Sequence, residues 1–448
     1  PDSFAGAWHG DLVLVAILPQ KRGRSPEGRV VRILDRELQE LPVKVTKQIG
    51  LNIYLTRPTD LKHPFSLLVE VSEPDMSLTP GDIIIVRPVK QLEPALWSAF
   101  LVQKLGPETE LEVQEKLVKK NHLIPTDFPH AVLKELEYLP SSPLENDFKG
   151  RADLTHLDFV TIDGAKARDF DDAIYVEKQN NSFNLYVAIA DVSHYVNLGS
   201  ALDREAQARG NSYYFPLSVE PMFPEKLSNG LCSLNPQVNR LVMVAEMIFS
   251  AKGERKKAKF YPGVIKSKAR LTYSQVFEAV ELNNKEAQKE IAHLLPMLKN
   301  ASKLAHLLLQ KRKQRGSIDF DLPEPEVLFN IRDAQLQVRP RVRNFAHQII
   351  EEFMIAANEA VAGFLEEQGI LFLYRVHPEP DQEKLDALFK LLATTELGPK
   401  LPREKDPKSL QTLLKEARNT DLEFLVNRLL LRSMMQARYS PINEGHFG

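Results

Sequence analysis

The sequence predicts a multidomain chain in which small all-β barrels precede a larger α+β region. Three observations predict it. At 448 residues the chain exceeds one ordinary domain. A strand–loop–strand unit occurs twice within the first 110 residues, with little helical pattern between the copies. Beyond about residue 150, apolar hairpins alternate with long runs at helical spacing.

The first copy of the repeated unit is "GDLVLVAIL" at 10–18, the polar loop "PQKRGRSPEG" and "RVVRIL" at 29–34. The second is "GDIIIVRPV" at 81–89, a loop and "AFLVQKLG" at 99–106. Gly-Asp supplies a tight turn, and β-branched runs suit half-buried strands. Two barrels of OB or cold-shock type are expected, the first partial over 1–45 and the second over 46–110. Only nine residues precede the first Gly-Asp, too few for opening strands, so the chain is expected to begin inside a domain. A helical connector is expected over 111–150, and the α+β domain over 151–448. In the latter, "DDAIYVEKQNNSFNLYVAIADVSHYV" reads as a hairpin around Asn180-Asn181-Ser182. A second hairpin turns at Lys252-Gly253. Residues 274–313 read as helix with a break or kink at Pro296. In 346–369, Ile349, Ile350, Phe353, Met354, Ala357, Val361 and Phe364 recur at helical spacing, and Gly369 can cap the helix. A last helix is expected over 421–437, followed by a loop.

Composition narrows the class. With 43% hydrophobic and 26% charged residues, the chain is of ordinary globular type. No apolar run approaches the roughly 20 residues of a membrane span, and the start "PDSFAGAWHG" has no signal-peptide pattern. Cys232 is the single cysteine, which excludes an internal disulfide and suits a cytoplasmic location. It is expected to be a small buried apolar residue. Fifty-eight Lys and Arg stand against 60 Asp and Glu, so any basic groove must be local.

One stretch carries chemistry. "TIDGAKARDFDDA" at 161–173 places Asp163, Asp169, Asp171 and Asp172 within ten residues, with apolar strands on both sides. Two unit charges about 4 Å apart repel by about 4 kcal/mol at an effective dielectric of about 20. A solvated loop spreads such charges, whereas a packed cluster needs a cation or shared protons. A calcium loop of EF-hand type fails, because Ala165 and Ala167, or Ala173, fall where oxygen ligands are required. The surviving reading is a hard-cation site at a strand edge. Oxygen donors without Cys or His favour Mg²⁺, with Mn²⁺ as the alternative.

Here the sequence resembles the ribonuclease II/ribonuclease R (RNB) exoribonucleases, most of all their bacterial ribonuclease R branch. The resemblance lies in "VTIDGAKARDFDDAIYVE", "LYVAIADVSHYV", "LDREAQARGNSYYFP", "LSNGLCSLNPQVNRL", "ARLTY" and "HQIIEEFMIAAN". It implies N-terminal cold-shock domains, an α+β RNB catalytic domain and, normally, a C-terminal S1 domain. It also implies processive, Mg²⁺-dependent 3′→5′ hydrolysis of single-stranded RNA to 5′-mononucleotides. The family's stretch after a loop like "GHFG", with its phosphate-handling arginine, would follow Gly448, so the chain is expected to be the middle of a longer protein.

By the same resemblance, Asp163, Asp169 and Asp172 hold metal, and Asp171 is the catalytic carboxylate. Tyr214 resembles the aromatic that stacks near the RNA 3′ end, and Phe320 is its candidate partner. Tyr273 and Glu352 are further candidate RNA contacts, Glu352 toward the terminal ribose. The basic run "KRKQR" at 311–315 is a candidate for RNA phosphates. His377 reads as a satisfied loop histidine. A Ser193–His194–Asp191 triad is rejected because neighbours on one strand point to alternate faces. The expected partner is single-stranded RNA, with no membrane and a monomeric state. Two other functions compete: a catalytically inactive RNA-binding protein of the same fold, and a DNA exonuclease with the same metal chemistry. Retention of all four aspartates argues against the first. Only the resemblance and ribose contacts argue against the second.

Overall fold

The computed structural model of the chain describes residues 6–18, 27–36, 38–72, 76–318, 320, 325–330, 335–340 and 342–448. The chain forms two compact units, Pro1–His130 with Arg204–Met222, and Ala131–Asp203 with Phe223–Gly448.

In the first unit, β1 (Leu12–Ile17) and β2 (Gly28–Asp35) pair as an antiparallel ribbon. A closed barrel follows, built from β3 (Leu41–Gln48), β4 (Ile53–Pro58), β5 (Ser66–Glu70), β6 (Asp82–Glu93) and β7 (Leu96–Pro107). Its strand order is β3-β4-β5-β7-β6, with β6 returning to pair with β3. Closure leaves no free sheet edge. The alternating residues Val43 and Val45, Leu67 and Val69, and Ile84 and Val86 fill the interior. The helix α1 (Leu111–Asn121) lays Val113 and Leu117 against Ile83.

The second unit opens with α2 (His130–Tyr138) and builds one seven-stranded sheet. Its early strands are β8 (Ala152–Asp153), β9 (Val160–Asp163), β10 (Asp172–Gln179) and β11 (Ser182–Ala190). Then α3 (Ala201–Arg209) leads into the stretch assigned to the first unit, which carries the ribbon of β12 (Tyr213–Tyr214) and β13 (Val219–Glu220). The long strands β14 (Asn239–Ser250) and β15 (Arg255–Lys266) and the short β16 (Ala269–Thr272) complete the sheet, in the order β16-β9-β10-β11-β14-β15-β8. Both expected hairpins form. Asn180 takes φ 49° in one turn and Gly253 φ 72° in the other, the left-handed region that Asn and Gly tolerate.

One face of the sheet presents Ile174, Val176, Leu185, Val187 and Met247 to a helical layer. That layer consists of α4 (Tyr273–Val280), α5 (Lys285–Glu290), α6 (Leu295–Arg315) and α7 (Phe345–Glu367), with Leu298, Leu304, Ile349 and Phe353 buried against the strands. Each such side chain contributes about 1.5–3 kcal/mol on full burial. Pro296 occupies the first turn of α6 and starts that helix instead of kinking one, because its missing N–H lies where no intrahelical partner exists. After the ribbon of β17 (Pro325–Asn330) and β18 (Gln335–Pro340), a smaller lobe follows α7. It holds β19 (Tyr374–Val376), α8 (Gln382–Leu392), α9 (Pro407–Ala417), α10 (Glu423–Ser433) and β20 (Arg438–Ser440). The last helix stops short of the expected residue 437, since Met434 already has extended backbone with ψ 141°. No helix among the described residues is long and apolar enough to cross a membrane.

Candidate carboxylate site

The four aspartates lie in the second unit, where β9 ends at Asp163 and the neighbouring β10 begins at Asp172. The intervening loop therefore leaves and re-enters the same end of the sheet. Asp171 is fixed from behind, its carbonyl accepting the Ala190 N–H at 2.9 Å. Between the carboxylates, Phe170 is buried and plugs the loop into the domain. Asp171 is the most exposed of the four.

Burial, then crowding, raises Asp163, Asp171 and Asp172. Burial first, then Asp169 and Asp171, lifts Asp163 to about 6, while the Arg270 guanidinium pulls it down. Burial, Asp163 and Asp171 lift Asp172 to about 7. Asp171 is raised by burial and by Asp169. One oxygen of Asp163, Oδ2, is buried without a hydrogen-bond partner. An orphaned carboxylate oxygen in an all-oxygen donor set fits a hard divalent cation. Among the described residues no three His, Cys, Asp or Glu side chains already converge to ligand distances. Like-charged carboxylates lose the reason to spread apart when a cation lies between them or when protons neutralise them.

The raised acids give a signed expectation. Unfolded aspartates titrate near 3.9, so the folded cluster binds more protons between about pH 4 and about pH 7. Its contribution to stability is present below that window and is lost as pH rises through it. A cation reverses the loss, whereas protons compete with it at low pH. Adding Mn²⁺ should therefore raise the melting temperature more at about pH 7.5 than at about pH 5. An equal increase at both pH values would remove the carboxylates from cation binding.

Arg270 is a site residue that sequence reading missed. It lies on β16, whose parallel pairing with β9 places Thr272 opposite Asp163. Its Nη2 donates to the carbonyls of Gly164 at 2.8 Å and Ala165 at 2.7 Å, tying down the first turn of the loop. The signal was present in "ARLTY", but a parallel pairing across about 100 residues has no local mark.

The remaining candidates separate. Tyr273 begins α4 directly after Thr272, and its ring stacks on His347 with centroids 3.9 Å apart. Glu352 is 3% exposed and tied to Arg312, at 2.8 Å to Nε and 2.7 Å to Nη2. Phe320 packs partly against the apolar core of α8, α9 and α10. Tyr214 is 66% exposed on the β12–β13 ribbon, within the first unit. In the 311–315 run, Lys311 faces Glu254, Arg312 faces Glu351 and Glu352, and Arg315 faces Glu359. These charges tie α6 to α7 and to the tip of the second hairpin. His377 is satisfied, its Nε2 at 2.8 Å from the Met435 carbonyl.

The triad is absent for a reason other than strand alternation. Residues 192–194 form a helical turn, and Ser193 Oγ donates directly to Asp191 Oδ1 at 2.8 Å. Arg151 holds the other Asp191 oxygen, while His194 Nε2 lies 3.2 Å from Asp147. Cys232 is buried, and burial pushes its thiol up to about 12.

A closed OB-type barrel and an α+β domain with four aspartates at the end of one strand pair define the class of protein. The chain belongs to the RNB family: the RNB domain matches residues 151–448, and the Ribonuclease B OB domain matches residues 1–33. Ribonuclease R of Aquifex aeolicus is 37% identical over all of this chain and 63% of its own length. That of Escherichia coli is 38% identical over 98% of this chain and 54% of its own length. The chain thus spans between about half and two thirds of these relatives. Mycoplasma genitalium RNase R, solved with ribose-methylated single-stranded RNA, covers all of this chain at TM-score 0.87 and 31% identity, and the chain covers 70% of it. Yeast Ssd1, a pseudonuclease, shares the fold at TM-score 0.67 and 17% identity.

Proposed function

We propose that this chain is the barrel and catalytic part of a 3′→5′ exoribonuclease that hydrolyses single-stranded RNA processively to 5′-mononucleotides. The observation that carries it is the carboxylate cluster at the end of the β9–β10 pair, with the orphaned Asp163 oxygen. Asp163, Asp169 and Asp172 would hold Mg²⁺, or Mn²⁺ in its place. When bound, the cation supplies Lewis-acid charge at the scissile phosphate and lowers the pKa of water. Asp171, the most exposed of the four, orients the attacking water and takes its proton. The water oxygen would bond to phosphorus as the P–O3′ bond breaks, the 3′ oxygen of the shortened RNA would take a proton from solvent, and the released nucleotide would keep its 5′ phosphate. All four carboxylates come from one stretch of one chain, so a monomer suffices. A reducing cytoplasm suits the buried, unpaired Cys232.

Unstacked bases can rest on aromatic side chains, which favours single strands. Exposed Tyr214 is a proposed platform for an RNA base, and Tyr273 lies beside the strand end that carries Asp163. Replacing Tyr214 with Ala should weaken binding of a short single-stranded RNA by about tenfold, within the 1–3 kcal/mol of a base–aromatic stack. Fluorescence anisotropy with a labelled oligonucleotide measures it, and unchanged affinity would return Tyr214 to a surface role. The function itself is tested by digesting 5′-labelled RNA and the matching DNA with this chain and Mg²⁺. Progressive shortening from the 3′ end of RNA alone is expected. Equal digestion of both would make it a general exonuclease, and internal cuts would exclude an exonuclease.

A further inference from the structure

The loop that carries Asp169 makes no regular strand pairing over 164–171, yet its carboxylate must enter the cluster at a defined place. Three hydrogen bonds supply the constraint. Ser233 Oγ accepts the Phe170 N–H at 3.1 Å and donates to the Arg168 carbonyl at 2.9 Å. One hydroxyl therefore brackets Asp169 on both sides. The next residue, Leu234, donates its N–H to the Phe170 carbonyl at 2.9 Å. Ser233 is in turn immobilised: it is fully buried, and its carbonyl accepts Nε of buried Arg240 at 2.8 Å. Arg240 is the second residue of β14, an interior strand of the sheet, so the chain of contacts runs from the sheet to the loop.

We propose that Ser233 is a positioning residue for the cation site, fixing Asp169 through the two peptide groups that flank it. Removing the hydroxyl leaves the buried Phe170 N–H without its partner and frees the Arg168 carbonyl, and a loop free to relax loses the carboxylate's placement. The proposal rests on the reading of the aspartates as the cation site.

The test measures Mn²⁺ binding directly, by calorimetry and by the electron paramagnetic resonance signal of free Mn²⁺, with the full chain. Four variants are compared with the parent: Asp163→Asn, Ser233→Ala, Ser233→Cys and Leu304→Ala. Leu304 is a fully buried residue of α6 and serves as a control for lost stability alone. Ser233→Ala should weaken Mn²⁺ by about tenfold, as typical for losing a supporting hydrogen bond to a metal ligand. Ser233→Cys keeps a donor at the same position but one that donates weakly, so it should fall between parent and Ala, and it carries the test if the Ala variant does not fold. Leu304→Ala should lower the melting temperature and leave Mn²⁺ affinity unchanged. Parental affinity in both Ser233 variants, with binding lost in Asp163→Asn, would overturn the role of Ser233 alone. Unchanged binding in Asp163→Asn would overturn the cation site, and the proposal with it.

Discussion

Replacing Asp171 with Asn should abolish hydrolysis while leaving RNA affinity nearly intact. The change keeps shape and volume but removes the proton acceptor and one negative charge. Asp171 is the most solvent-facing of the four acids, and its backbone is fixed by Ala190, so the surrounding fold should hold. A positioned acid–base group contributes about 10²–10⁴-fold, and loss of a charge near the cation adds to that. A drop of about 10³-fold or more in the single-turnover rate is therefore expected. Affinity comes from phosphate contacts and stacking, so the dissociation constant should move by no more than about threefold. Single-turnover cleavage and filter binding on the same RNA separate the two quantities. Near-normal cleavage would remove Asp171 from the mechanism.

Withdrawing divalent cations should have an effect as large. EDTA is expected to stop hydrolysis, Mg²⁺ or Mn²⁺ to restore it, and Ca²⁺ to bind without comparable turnover. The ligand set is all carboxylate, which suits a small hard cation that keeps water positions open. Ca²⁺ takes more ligands at longer distances and places water and phosphate less well. Asp163 and Asp172, raised to about 6 and about 7, must give up protons to bind, so the Mg²⁺ requirement should rise as pH falls through that range. Initial rates across a Mg²⁺ series at several pH values read this out. Full activity in excess EDTA would exclude the metal mechanism.

The sequence made the hairpins, the long helix and the acidic stretch legible because each has a local signature. Ile174, Val176, Leu185 and Val187 alternate along β10 and β11, and the period of two marks strands whatever they later pack against. Four aspartates within ten residues announce a charge problem that must be solved by a cation, protons or solvent. The carried-over candidates were less legible. Glu352 is a candidate ribose contact in the sequence, yet it is buried and paired with Arg312. The "KRKQR" run was a candidate for phosphates, yet three of its cations face glutamates of their own unit. In both cases the deciding partner lies about 40 residues or more away in the chain.

By itself the sequence determined the types of element, the identity of the carboxylates and their place at the edge of a strand. Those properties follow from spacing within a single segment. Only the tertiary structure decided what stands around them. Arg270 reaches the loop through a parallel pairing of β16 with β9, and Ser233 brackets Asp169 from 64 residues further along the chain. Such contacts are chosen when the sheet assembles and the helical layer buries its apolar face, a step that optimises packing over the whole domain. A residue's partner across the sheet is set by register and strand order, and neither is written in the residues beside it.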